Sequence, residues 1–255
     1  MTRYALGMSS GIGSRSGQPE GDDGLQDFFP LATFRPVWFH IRRNDTLVRE
    51  LARLNIGIFG GTFDPIHIGH LLVAEEARML LPLDEVIFVP AGRPWLKADR
   101  DVTDAHHRLR MVSLATASNP CFRVSDVEVG RLGASYTIDT LEKLRSELGS
   151  DTELYLVLGM DSLREIRRWR DPERIFELAI VVGMSRPGFE NADVKDVETN
   201  IAGAKGRVIV LDGPLIDVSA TDIRKRVADC RSIRYRVPSE VEQYIEENGL
   251  YRLSS

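Results

Sequence analysis

The sequence predicts an α/β fold: a mostly parallel sheet with helices on both faces. Three observations lead there. From residue 55 onward, short apolar runs alternate with stretches of helical spacing. Runs such as Ile56–Phe59, Val86–Val89 and Leu154–Leu158 are continuous, as in strands buried on both sides. Several of them end in glycine or a polar turn, and in open parallel sheets ligands bind beyond the carboxyl ends of the strands.

Taken in order, Asn55–Gly60 is the first strand and Ile68–Leu81 the first helix. Asp84–Pro90 is a second strand, leaving into the loop Ala91–Asp104. His106–Ser118 carries Leu109, Val112, Ala115 and Ala117 at helical spacing. Phe122–Glu128 reads as a strand, Thr137–Leu148 as a helix stopped by Gly149, and Glu153–Leu158 as a strand running into Gly159-Met160-Asp161-Ser162. The charge-rich stretch 164–174 reads as a solvated face. Leu178–Gly183 and Arg207–Leu211 are strands around a polar helix near 191–203, and Ser219–Ala228 and Pro238–Asn248 are the closing helices.

Residues 1–54 read differently. Met1–Asp27 is rich in Gly, Ser and charge without hydrophobic period, the composition of a disordered segment. Phe34, Trp38 and Phe39 beside Pro36 suit either a docking segment or an out-of-place translation, and Thr46–Leu54 suits a short helix. A start at Val48 or Leu54 would leave the leader unmade. The expected organisation is therefore an N-terminal extension, 1–54, and a catalytic domain, 55–255. A chain of 255 residues with 43% hydrophobic and 28% charged residues is an ordinary globule with room for a full core. Its net charge of −5 argues against a nucleic-acid or anionic-membrane surface. The two cysteines, Cys121 and Cys230, fit free thiols in a reducing, cytoplasmic setting.

The chemistry concentrates in Gly60-Gly61-Thr62-Phe63-Asp64-Pro65-Ile66-His67-Ile68-Gly69-His70. Paired glycines let a ligand approach the backbone, and the following helix start offers unpaired N–H groups to an anion. His67 and His70, three apart, share the face of the first turn. The stretch lacks the spacing of a dinucleotide glycine motif and the Gly-Lys end of a P-loop. Zinc held by His67, His70, His106 and His107 is a competing reading that lacks ligand spacing and a nearby cysteine. His106 and His107 read instead as solvent-facing or capping residues. Ser219-x-x-Asp222 resembles a capping box with Asp in place of Glu, and Arg224 on the same first turn opposes the helix dipole unless an anion binds there. Asp161 suits either a ribose hydroxyl or a helix cap, and Trp169, among Arg167, Arg168 and Arg170, suits either an exposed ring or a platform.

Gly60–His70 resembles the nucleotidyltransferase signature ending in His-x-Gly-His. Ser135-Tyr136-Thr137-Ile138-Asp139-Thr140-Leu141, Gly159-Met160-Asp161-Ser162, Trp169 and Val218-Ser219-Ala220-Thr221-Asp222-Ile223-Arg224 narrow the resemblance to bacterial nicotinate-nucleotide adenylyltransferases, over roughly residues 55–252. Arg93-Pro94-Trp95-Leu96-Lys97 departs from the family's Pro-Pro-His-Lys and lacks its third histidine, while Lys97 keeps the cation.

The resemblance implies a Rossmann-like nucleotidyltransferase fold and the transfer of AMP from ATP to nicotinate mononucleotide, giving deamido-NAD and pyrophosphate. It implies His67, His70, Lys97 and Arg224 as catalytic residues. ATP would lie against Gly60, Gly61, Thr62, Phe63, His67, His70, Gly159, Ser219, Thr221 and Arg224. Nicotinate mononucleotide would lie against Asp64, Tyr136, Thr137, Asp161 and Trp169, with Mg²⁺ held mainly by the ATP phosphates rather than by protein. A sister transferase acting on phosphopantetheine or nicotinamide mononucleotide, a non-catalytic nucleotide sensor, and an interaction protein acting through the leader, which could coexist with catalysis, are the alternatives. Neither a nucleic-acid nor a membrane partner is expected, and the oligomeric state is left open, a homo-oligomer included.

Overall fold

The computed structural model describes residues 53–93, 102–131, 133–185 and 192–252. The expected helix at 46–54 lies almost wholly outside them, and Arg53 and Leu54 themselves are not helical. The strands are β1 (Asn55–Gly61), β2 (Glu85–Pro90), β3 (Phe122–Val124), β4 (Glu153–Gly159), β5 (Ala179–Ser185) and β6 (Val208–Asp212). The helices are α1 (Ile68–Leu80), α2 (Ala105–Thr116), α3 (Thr137–Leu148), α4 (Met160–Glu165), α5 (Pro172–Leu178), α6 (Ala192–Asn200), α7 (Ala220–Ala228) and α8 (Ser239–Glu247), with a 3₁₀ turn at Ile166–Arg168. All six strands are parallel, in the order β3-β2-β1-β4-β5-β6.

Alternation along the strands explains why helices cover both faces. In β1, Ile56 and Ile58 point to one side and Phe59 to the other. The first side meets Ile138, Leu141 and Leu144 of α3, Leu163 of α4 and Phe176 of α5. The second meets Ala74 and Ala77 of α1, Met111, Val112 and Ala115 of α2, Ile223 of α7 and Val241 and Ile245 of α8. At roughly 1.5–3 kcal/mol for each large apolar side chain buried, the two layers supply most of the force that holds the domain.

The strand order reverses between β1 and β4, the position where such sheets bind ligands. Phe59 pairs with Val157 and Gly61 with Pro90, so the ends of β1, β2 and β4 lie side by side. Ala91 N–H also donates to Gly61 O at 2.9 Å.

Three expectations need correction. β3 stops at Val124 rather than reaching Glu128, because Val129 N–H and Arg131 N–H turn back to Asp126 O and Glu128 O. The stretch 164–174 is not only a solvated face. Ile166 is buried beneath it, and α5 opens at Pro172, its first helical residue, placing Ile175, Phe176 and Leu178 in the core. In α2 the inner stripe runs through Arg108, Met111, Val112 and Ala115, with Leu109 only half-buried.

Candidate functional site

The turn leaving β1 is built from the inside outward. Phe63 is buried with φ +49° and lies against Gly61, where any Cβ would stand 2.8 Å from its ring. Gly61 is thus required by Phe63, whereas a Cβ on Gly60 would enter open space. The ring of His70 rests on Phe63, 5.0 Å between centroids and edge to face. His67 stacks on His70 at 3.6 Å, nearly parallel. Gly69 permits that stack, since a Cβ there would press on the His67 ring at 3.1 Å. The His-x-Gly-His spacing therefore has a packing reason for its glycine as well as for its histidines.

His67 is the N-cap of α1, and His70 reaches back to it: Nδ1 of His70 accepts from the His67 N–H at 3.2 Å. That bond fixes a tautomer, because a neutral imidazole accepting at Nδ1 carries its proton on Nε2. His70 therefore presents an N–H donor at the other edge of its ring.

Asp64 does not line this surface. It is only 5% exposed, and its carboxylate accepts from Tyr251 O–H at 2.8 Å and from Thr103 N–H at 3.3 Å. Burial and the adjoining Asp64 charge push the Tyr251 hydroxyl far above its ordinary value, so it stays a donor. Arg224, at the start of the second turn of α7 rather than on its first, donates to Asp64 O at 2.6 Å and lies 3.5 Å from Thr221 Oγ1. Ser219 is the N-cap of α7, accepting from Asp222 N–H at 3.2 Å. Its capping box is only half formed, because the Asp222 carboxylate turns to Arg226 at 2.8 Å and Arg236 at 3.3 Å.

A residue that sequence reading passed over holds these loops together. Arg108 is 1% exposed, and its guanidinium donates to Thr103 O at 2.8 Å, Thr62 O at 2.8 Å and Gly92 O at 2.9 Å. Burial lowers its pKa and the Asp64 charge opposes that, while arginine remains a cation throughout. The signal was present: positions 108, 112 and 115 have the i, i+4, i+7 spacing of the buried stripe.

Beside the turn, a cavity of about 280 Å³ is lined by Gly60, Gly61, Thr62, Thr137, Thr140 and Trp169, among others. Trp169 is half-buried against the core, and its indole Nε1–H is buried without an acceptor among the described residues. Helix α3 opens here, and its N-cap, Tyr136, supplies no side-chain bond to the first N–H groups. The Tyr136 ring instead carries the Arg170 guanidinium 5.0 Å from its centroid. Gly159 caps α4 at the exposed end of β4, and Asp161 lies exposed within the first turn of α4 rather than capping it.

Other expected positions fall elsewhere. Lys97 lies outside the described residues. His106 is exposed and its N–H is capped by Asp104 at 2.8 Å, whereas His107 is half-buried and bonds Tyr244 through Nδ1 at 2.9 Å, joining α2 to α8. Among the described residues no group of three His, Cys, Asp or Glu is arranged to hold a metal ion, and no helix is long and apolar enough to cross a membrane. A larger cavity, about 570 Å³, lies between the end of α7 and α8 and contains none of the signature residues.

Comparison with known proteins gives concordant results. The family described as cytidylyltransferase-like matches residues 58–226. A protein of Thermomicrobium roseum named as a probable nicotinate-nucleotide adenylyltransferase is 49% identical over 197 residues, 77% of this chain and 91% of its own. One of Roseiflexus castenholzii with the same name is 48% identical over 196 residues, 77% and 97% of the two chains. The structure of Plasmodium falciparum nicotinic acid mononucleotide adenylyltransferase, complexed with NaAD, shares the fold with a TM-score of 0.63 at 21% identity, covering 78% of this chain and 97% of that one.

Proposed function

We propose, for a chain that belongs to the nicotinate-nucleotide adenylyltransferase family, that the turn Gly60–His70 receives the triphosphate of ATP and the adjoining cavity receives nicotinate mononucleotide. The reaction transfers AMP from ATP to nicotinate mononucleotide, giving deamido-NAD and pyrophosphate, a step of NAD biosynthesis. One observation carries the assignment of places: Gly60, Gly61 and Thr62 both begin the histidine turn and line the cavity. An acceptor phosphate held in the cavity mouth would thus lie next to the nucleotide phosphates, which is what an in-line displacement needs.

In this reading the 5′-phosphate oxygen of nicotinate mononucleotide attacks the α-phosphorus while the bond to pyrophosphate breaks. The Nε2–H of His70 donates to the α-phosphate as charge builds there, and His67, stacked beneath, assists. Arg224 adds a cation beside the positive N-terminal end of α7, where the pyrophosphate leaves, with Ser219 and Thr221 at the same helix start and Lys97 as a second cation. Mg²⁺ enters with the nucleotide. Its phosphate oxygens and water hold the ion. Phe63 and Asp64 act from beneath as scaffold rather than as ligand contacts. Asp161, exposed at the end of β4, faces a ribose, and Gly159 leaves backbone space for the nucleotide.

The N–H groups at the start of α3, around Tyr136 and Thr137, receive the nicotinate carboxylate. A neutral carboxamide gains less there, so acid is preferred to amide. Trp169 stacks on the pyridine ring. Residues 55–255 form the catalytic unit in this reading, acting in the cytoplasm, with 1–54 an extension outside it.

Trp169→Ala tests the placement. Losing the stacking face is expected to raise KM for nicotinate mononucleotide by about tenfold, the free-energy scale of an aromatic contact plus its buried area. KM for ATP should stay within about twofold, since that factor is only ~0.4 kcal/mol. Steady-state kinetics with each substrate varied separately measures both, and an equal rise in the two KM values would remove Trp169 from the acceptor site.

A further inference from the structure

Glu128 is the one ionisable residue among the described residues lining the 280 Å³ cavity, and it is only 8% exposed. A buried carboxylate is out of place in a pocket that takes another carboxylate, unless its charge is consumed by the protein itself. Its bonds show that it is. Thr140 Oγ1 donates to Glu128 Oε1 at 2.5 Å, and Gly92 packs against both Glu128 and the Ser135 hydroxyl. Burial pushes this carboxyl above the usual range, and the Thr140 hydroxyl, the neighbouring Ser135 and Gly92 and the Arg131 charge pull it back.

These three neighbours of Glu128 belong to different segments. Thr140 sits on the first turn of α3, Ser135 lies just before that helix, and Gly92 belongs to the loop leaving β2. The link between the last two is doubled: Ser135 N–H donates to Arg93 O at 3.0 Å, and Arg93 N–H lies 3.4 Å from Ser135 Oγ. Gly92 packs so closely that a Cβ there would stand 2.1 Å from Glu128 O. Glu128 therefore anchors both sides of the α3 start.

We propose that Glu128 is a positioning residue for acceptor choice, its carboxyl setting the direction in which the N–H groups that open α3 face the cavity. The proposal rests on the reading that this cavity takes nicotinate mononucleotide. Glu128 touches no substrate. It acts through Ser135, Thr140 and Gly92.

The test compares full-length wild type, Glu128→Ala and Glu128→Gln, each with nicotinate and nicotinamide mononucleotide as acceptors. Glu128→Ala is expected to lower the acid-to-amide ratio of kcat/KM by about tenfold, the scale of losing hydrogen bonds to a charged group. KM for ATP should stay within about twofold, ~0.4 kcal/mol. Glu128→Gln, which keeps an acceptor oxygen for Thr140, should recover part of the ratio. If Glu128→Ala does not fold, Thr140→Val removes the donor to the Glu128 carboxylate and should narrow the same ratio. An unchanged ratio in folded variants, or an equal loss for both acceptors, overturns the role. Wild type that fails to use nicotinate mononucleotide would instead overturn the functional reading, so the two failures are told apart by the wild-type control.

Discussion

Replacing His70 by alanine is expected to lower kcat for adenylyl transfer by ~10²–10³, the loss typical of one preorganised donor to a charged transition state. The argument runs through geometry. His70 Nδ1 is committed to the His67 N–H at 3.2 Å, so the proton is on Nε2 before substrate arrives. Phe63 at 5.0 Å and the His67 ring at 3.6 Å hold the imidazole in place, so little reorganisation accompanies the reaction. The fold should survive, since the loss at the helix start is that of a cap, ~0.5–2 kcal/mol. Single-turnover kinetics with a parallel thermal melt measures both quantities. A His70→Ala enzyme within about twofold of wild type in kcat, only ~0.4 kcal/mol in barrier, would take His70 out of the mechanism.

Arg108→Met is expected to be the most damaging substitution for stability. The side chain would still fill the site, but the carbonyls of Thr62, Gly92 and Thr103 would lose their shared donor. Leaving buried acceptors without their donor costs ~1–3 kcal/mol each, a large share of the ~5–15 kcal/mol that holds a typical domain. Lysine should not rescue it, because a single ammonium lacks the planar fork that spans three acceptors. Urea denaturation of wild type, Arg108→Met and Arg108→Lys gives the comparison. A loss below about 1 kcal/mol in Arg108→Met would show that water satisfies the three carbonyls and that Arg108 is dispensable.

Most of the sheet was legible because its strands are buried on both faces and stand out as apolar runs between helical stretches. The histidine turn was legible because Gly61, His67, Gly69 and His70 are constrained locally, each by a neighbour within a few positions. What escaped depends on contacts between distant segments. Asp64 looks like a ligand residue in a Phe-Asp-Pro turn, yet its partner Tyr251 stands 187 positions away. Arg108 drew no notice in the sequence because its partners Thr62, Gly92 and Thr103 come together only in the fold. Helix α5 was hidden by the arginines before it, although Asp171-Pro172 carries the start signal of a proline at the first helical position. The Asp222 carboxylate was expected to complete a capping box and instead meets Arg226 and Arg236, a choice that local spacing does not reveal.

The most direct test of the account is pyrophosphate release by the full-length protein with ATP and Mg²⁺, offered nicotinate mononucleotide, nicotinamide mononucleotide and phosphopantetheine in separate reactions. Strong turnover with nicotinate mononucleotide and little with the other two is the predicted result. Preferred turnover with nicotinamide mononucleotide or phosphopantetheine, or none with any acceptor in a folded protein, would contradict it.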